Sequence, residues 1–186
     1  EGNPMAGSQR LDEWIKSGET RMLAGHGIFV RMAATSGLPA LLLVHGYPTA
    51  SYDWIRIWPR LAARYSLYAC DMLGFGMSDK PRSSDYPIAL QADICQALLD
   101  SCGIESAHVL AHDYGDTVAQ ELLAREREGT LRLQSMCFLN GGLFPETHRA
   151  RPVQKLLAMP VIGTLLARTM SYRKFESAML SISGRQ

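Results

Sequence analysis

Three short apolar runs, ALLLVH (Ala40 to His45), YSLYACD (Tyr65 to Asp71) and SAHVLAH (Ser106 to His112), alternate with segments whose apolar residues recur at helical spacing. Runs this short and this nearly unbroken in apolar residues read as buried strands, Ala40 to His45 as one buried on both faces. Strands of that kind belong to parallel sheets, in which each return crossover lays a helix over the sheet. The expected fold class is therefore α/β, a mostly parallel sheet with helices on both faces.

Around these runs the remaining elements fall into place. Two apolar stretches within Thr20 to Ala34 flank Gly25-His26-Gly27 and predict a hairpin turning on the glycines, with His26 as a turn residue. Trp54 to Arg64 has helical spacing, and Pro59 is expected to start or kink that helix because it has no N–H to donate. From Ile88, the residues Leu90, Ile94 and Leu98 predict a helix that closes at Gly103. A second helix follows Asp113, with Val118, Ala119, Leu122 and Leu123 on one side and Gln120, Glu121 and Arg125 on the other. Another strand is expected at LQSMCFLN (Leu133 to Asn140). Residues 1–19 read as an N-terminal tail, 20–150 as the α/β core, and 151–186, rich in Leu, Met and Ala, as the start of helices laid over the sheet.

Composition excludes several partners. The 186 residues are 47% hydrophobic and 20% charged, an ordinary composition for one soluble domain. A net charge of +1 without a Lys/Arg block leaves no footprint for nucleic acid or an anionic membrane surface. The longest apolar stretch, LLAMPVIGTLLA (Leu156 to Ala167), is shorter than the roughly 20 residues a span needs, so no membrane segment is expected. Cys70, Cys95, Cys102 and Cys137 lie in apolar surroundings with no CxxC pair, as reduced thiols in a cytoplasmic protein would.

In a parallel sheet the ligand sits beyond the carboxyl ends of the strands. Here those ends carry His45-Gly46-Tyr47-Pro48, Asp71, His112-Asp113-Tyr114-Gly115 and Asn140-Gly141-Gly142. Asp113 stands at a strand-to-helix corner with the small residues Ala111 and Gly115 at the positions of a nucleophile elbow, the sharp turn that lifts one side chain above the sheet. A serine there must lose a proton before attacking. A carboxylate needs no such step, and attacks an sp³ carbon to give an alkyl ester. Hydrolysis of that ester calls for a base-activated water and for N–H donors facing the developing oxyanion, and the backbone N–H groups of Tyr47 and Tyr114 are the candidate pair. His45, His112 and Asn140 are expected at the substrate pocket, the two histidines also holding their loops through backbone hydrogen bonds. Asp116 is expected to interact favourably with the helix dipole, Asp71 to fix its own loop, Trp54 and Trp58 to pack in the core, His108 to be a satisfied core histidine, and His148 to be solvated.

Taken jointly, HGYPTASYDW, DMLGFGMSDKP and HDYGD resemble the α/β-hydrolase superfamily, in the branch of epoxide hydrolases and haloalkane dehalogenases that use an aspartate nucleophile. HDYGDTVAQELLAR and LNGGLFPETHR resemble, more closely, the mesoderm-specific transcript family. The resemblance implies that Asp113 is the nucleophile, that Tyr47 and Tyr114 form the oxyanion hole, that residues from 151 begin a helical cap, and that no cofactor or metal takes part. It implies a small apolar substrate. Tyr114 replaces the tryptophan whose indole holds a leaving halide in the dehalogenases, and Tyr47 replaces a common asparagine, so an epoxide is favoured over a haloalkane. Tyr172 is not assigned the ring-opening role of the family's cap tyrosines. The family's base histidine and orienting acid have no counterpart: no histidine follows His148, and Asn140 stands at the end of the sixth strand. The chain is therefore expected to be part of a longer one, since six strands would leave an open apolar sheet edge.

Overall fold

A computed structural model describes residues 4–82, 85–127, 129 and 131–141, with isolated positions between 159 and 177. Almost all of the segment from residue 151, with His148, Tyr172 and Gly142, lies outside the described residues. The chain divides into two compact units, 1–143 and 144–186, and the first holds the sheet.

Six strands form one sheet in the order β1-β2-β4-β3-β5-β6. β1 (Glu19–Leu23) and β2 (His26–Ala33) are an antiparallel hairpin, and β2 pairs antiparallel with β4 (Ser66–Cys70). β3 (Ala40–Val44), β4, β5 (Ser106–His112) and β6 (Arg132–Leu139) are mutually parallel. Parallel neighbours require crossovers, and the chain supplies them with α2 (Trp58–Ala62), α3 (Ile88–Ser101) and α4 (Tyr114–Glu126). The mostly parallel α/β sheet expected from the apolar runs is thus the fold observed.

Side-chain alternation sends each buried strand's residues to two cores. On one face Ala40, Leu42 and Val44 of β3 and Tyr68 and Cys70 of β4 pack with Ile94 and Leu98 of α3 and Val118 and Leu122 of α4. On the other, Leu41, Leu43, Leu67 and Ala69 pack with Trp54 and Trp58. That second core also contains Trp14. Residues read as a tail form α1 (Pro4–Lys16), and Trp14 is buried against Trp58 with ring centroids 5.0 Å apart. The Arg31 guanidinium lies 4.1 Å from the Trp14 ring centroid and donates to the Trp14 carbonyl at 3.0 Å.

Three further expectations are corrected. The hairpin turns at Ala24-Gly25, both at positive φ, and His26 already belongs to β2. Instead of one helix from Trp54, a 3₁₀ helix (Ser51–Arg56) precedes α2, with Pro59 in its first turn, where a missing N–H costs nothing. His108 is only half-buried, because β5 is enclosed on one face and more open on the other; its Nδ1 meets Ser135 Oγ at 2.7 Å. No helix among the described residues is long and apolar enough to cross a membrane. All four cysteines are free: Cys70 and Cys95 are buried, Cys102 half-buried and Cys137 exposed.

Candidate active site

Asp113 occupies the corner between β5 and α4 with φ 53° and ψ −116°, a backbone conformation that few residues other than glycine adopt. Three contacts impose it. The Asp113 N–H donates to the Leu139 carbonyl at 3.0 Å, which ties the corner to the end of β6. The Asp113 carbonyl accepts the Asp116 N–H at 3.0 Å, closing the first turn of α4. Gly115 lets α4 approach β3, since a Cβ there would stand 2.5 Å from the carbonyl oxygens of both Val44 and His45.

Across from the corner lies the loop after β3. The Tyr47 N–H donates to Asp113 Oδ2 at 2.9 Å. Gly46 makes that approach possible, because a Cβ there would fall 2.7 Å from the Asp113 Cβ and 2.9 Å from His112 Nδ1. Tyr114 is the first residue of α4, where the N–H groups have no partner inside the helix. The structure thus brings Tyr47, His112, Asp113 and Tyr114 together. Asn140 follows β6 at positive φ, exposed, one residue beyond the Leu139 carbonyl that holds the elbow.

His45 is placed differently from the pocket position expected for it. It is 0% exposed, Nδ1 meets the Gly46 carbonyl at 2.8 Å, and Nε2 accepts the Met72 N–H at 2.9 Å. Both ring nitrogens therefore serve the backbone, and His45 ties the loop after β3 to the loop after β4. Burial lowers its pKa, which keeps the imidazole neutral and suits the acceptor role of Nε2.

Asp71 pins the same two loops. Its Oδ1 accepts the Ser51 N–H at 2.8 Å and the Ser51 hydroxyl at 2.5 Å, and its Oδ2 accepts the Met77 N–H at 2.8 Å. This agrees with a loop-fixing role, extended to a second loop through Ser51. Asp116 departs from the simple dipole reading. Its carboxyl is fully buried, with the Leu139 N–H 3.4 Å from Oδ1, and burial raises its pKa. It holds the end of β6 against α4 from inside.

One residue at the site escapes sequence reasoning. Phe75, in the loop after β4, packs edge-on to His45 (centroids 5.3 Å apart) and to Tyr47 (6.1 Å), and lies tilted by 35° against Tyr114 at 6.0 Å. Its only signal in the sequence is an aromatic residue between two glycines in the loop that follows a buried strand.

An elbow of this geometry at the carboxyl end of such a sheet defines a class of protein. The family model of the α/β hydrolase fold matches residues 39–159, and the chain belongs to that family. Within it, the chain is 43% identical, over 95% of its own length, to the mesoderm-specific transcript homolog proteins of Homo sapiens and Bos taurus. It spans 56% of the length of those relatives. Among solved structures it is similar to the haloalkane dehalogenase DbeA from Bradyrhizobium elkani USDA94, with a TM-score of 0.73 and 29% identity over 88% of this chain and 57% of that one. The epoxide hydrolase CorEH shares the fold, with a TM-score of 0.65 and 24% identity over 81% of this chain and 55% of that one.

Proposed function

We propose that the protein is a hydrolase that works through a covalent ester on Asp113, with an epoxide as its substrate class. The observation that supports this reading most is the 2.9 Å hydrogen bond from the Tyr47 N–H to Asp113 Oδ2. One carboxylate oxygen is held by a backbone donor while the other is left to attack. Asp113 Oδ1 forms a bond to a ring carbon, the carbon–oxygen bond of the epoxide breaks, and the ring oxygen keeps the electron pair and takes a proton from water. Water then adds to the ester carbonyl carbon under general-base catalysis. The oxyanion forms on Oδ2, already beside the Tyr47 N–H, and the Tyr114 N–H is the second donor. The bond between Oδ1 and the Asp113 carboxyl carbon then breaks, Oδ1 leaves on the substrate carbon and takes up a proton to complete the diol, and the oxygen of the water remains as the new carboxylate oxygen.

Similarity to DbeA supports a second reading, dehalogenation by the same nucleophile. Tyr114 weighs against it, since a tyrosine after the nucleophile has no indole N–H for a departing halide.

The test uses the full-length protein. Incubated with styrene oxide and quenched in acid, it is expected to gain one substrate mass on the peptide that contains Asp113, and Asp113→Asn is expected to gain none. Labelling that survives in Asp113→Asn removes the proposal. Release of halide from 1-chlorobutane, with no diol from styrene oxide, favours the second reading.

A further inference from the structure

Resting on the reading above, the geometry points to Phe75 as the residue that selects the substrate, by seating a flat aromatic group on the carbon next to the one attacked. Phe75 bridges Tyr47, whose N–H donates to Asp113 Oδ2, and Tyr114, the residue that follows Asp113, with ring centroids 6.1 Å and 6.0 Å away respectively. Phe75 thus packs against the rings of both residues that neighbour Asp113, one through a hydrogen bond and one along the chain. The Phe75 ring is only half-buried, and Tyr47 is 63% exposed. The Phe75 ring is carried by a loop that Asp71 and His45 pin.

Ring walls of this kind favour a π system over a saturated ring of equal size. Edge-to-face and offset pairs hold a ligand ring up to about tenfold more tightly than area alone accounts for. The position is also rigid. The Phe75 N–H donates to the Met72 carbonyl at 2.9 Å and its own carbonyl accepts the Ser78 N–H at 3.0 Å, so the loop turns tightly on both sides of the ring. Neither contact takes part in the reaction, which leaves Phe75 free to set specificity.

The experiment measures binding of two unreactive diols of matched carbon skeleton, 1-phenyl-1,2-ethanediol and 1-cyclohexyl-1,2-ethanediol, to the full-length protein by equilibrium dialysis. Wild type is expected to prefer the phenyl diol by about tenfold, Phe75→Leu to bring that ratio close to one, and Phe75→Tyr to restore it. Equal binding of the two diols by wild type overturns the inference, as does a ratio that Phe75→Leu leaves in place. Intact-mass labelling by styrene oxide is followed in parallel. A phenyl preference without an Asp113 adduct leaves the aromatic seat standing and removes the ester mechanism. An adduct with a diol ratio of one does the reverse.

Discussion

Gly115 lies so close beneath the end of β3 that a methyl group on it would stand 2.5 Å from the carbonyl oxygens of Val44 and His45. The elbow is therefore built by an approach between two backbones. Gly115→Ala is expected to push α4 away from β3, at a cost of about 1–3 kcal/mol in unfolding free energy. Urea denaturation measures this, and a variant as stable as wild type would show that the approach tolerates the methyl.

Asp113 holds positive φ under tension, and two substitutions separate its strain from its chemistry. Both Asp113→Gly and Asp113→Ala are expected to abolish ester formation. Glycine relaxes the corner and alanine does not, so the glycine variant should be more stable than the alanine variant by about 1 kcal/mol, although glycine elsewhere lowers stability relative to alanine. Parallel urea titrations decide the order.

Asp71 gathers three donors from two loops. Asp71→Ala strands the buried N–H of Ser51, at a cost of about 1–3 kcal/mol, and the half-buried N–H of Met77 at a smaller one. Asp71→Asn keeps one acceptor oxygen and is expected to recover part of the loss. Thermal unfolding of the three proteins checks the order wild type, Asn, Ala.

His45 and Asp116 predict opposite pH dependences. Burial lowers the pKa of His45 from its ordinary 6.5, so the unfolded chain takes up the proton first as pH falls. The stability this group contributes is present above about pH 6.5 and is lost as pH drops through the folded pKa. Burial raises the pKa of Asp116 from its ordinary 3.8, so the folded chain keeps its proton longer as pH rises. Its contribution is fully present below about pH 3.8 and is lost as pH climbs through the folded pKa. Relative to wild type, Asp116→Asn is therefore expected to gain stability as pH rises above about 3.8, and His45→Gln to gain it as pH falls below about 6.5. Urea midpoints across that range test both signs.

The sheet and the corner were legible in the sequence for one reason: a strand buried on both faces cannot carry polar residues, and an elbow cannot carry large neighbours. ALLLVH and the Asp113-x-Gly115 frame obey those constraints without help from the rest of the chain, whereas SAHVLAH carries Ser106, His108 and His112 because one face of β5 stays partly open. α1 was not legible, since Leu11, Trp14 and Ile15 make a short stripe among polar residues and only the packing of Trp14 against Trp58 and Arg31 shows what it covers. His45 looked like a pocket residue because it follows a strand, yet the turn at Gly46 carries the chain over it. Asp116 looked like a charge placed for the helix dipole because it sits in a first helical turn, and the end of β6 closes over it. Phe75 acquires a role only when the loop after β4 folds back across Tyr47 and Tyr114, a contact between segments far apart in sequence.

The three tryptophans, Trp14, Trp54 and Trp58, all lie in the core on the α1 and α2 face of the sheet. The emission of these three tryptophans is thus a one-sided gauge. It registers detachment of α1 and is silent at Asp113, where tyrosine and phenylalanine stand instead. A loss of function that leaves this emission unchanged places the damage on the far side of the sheet or at its carboxyl edge.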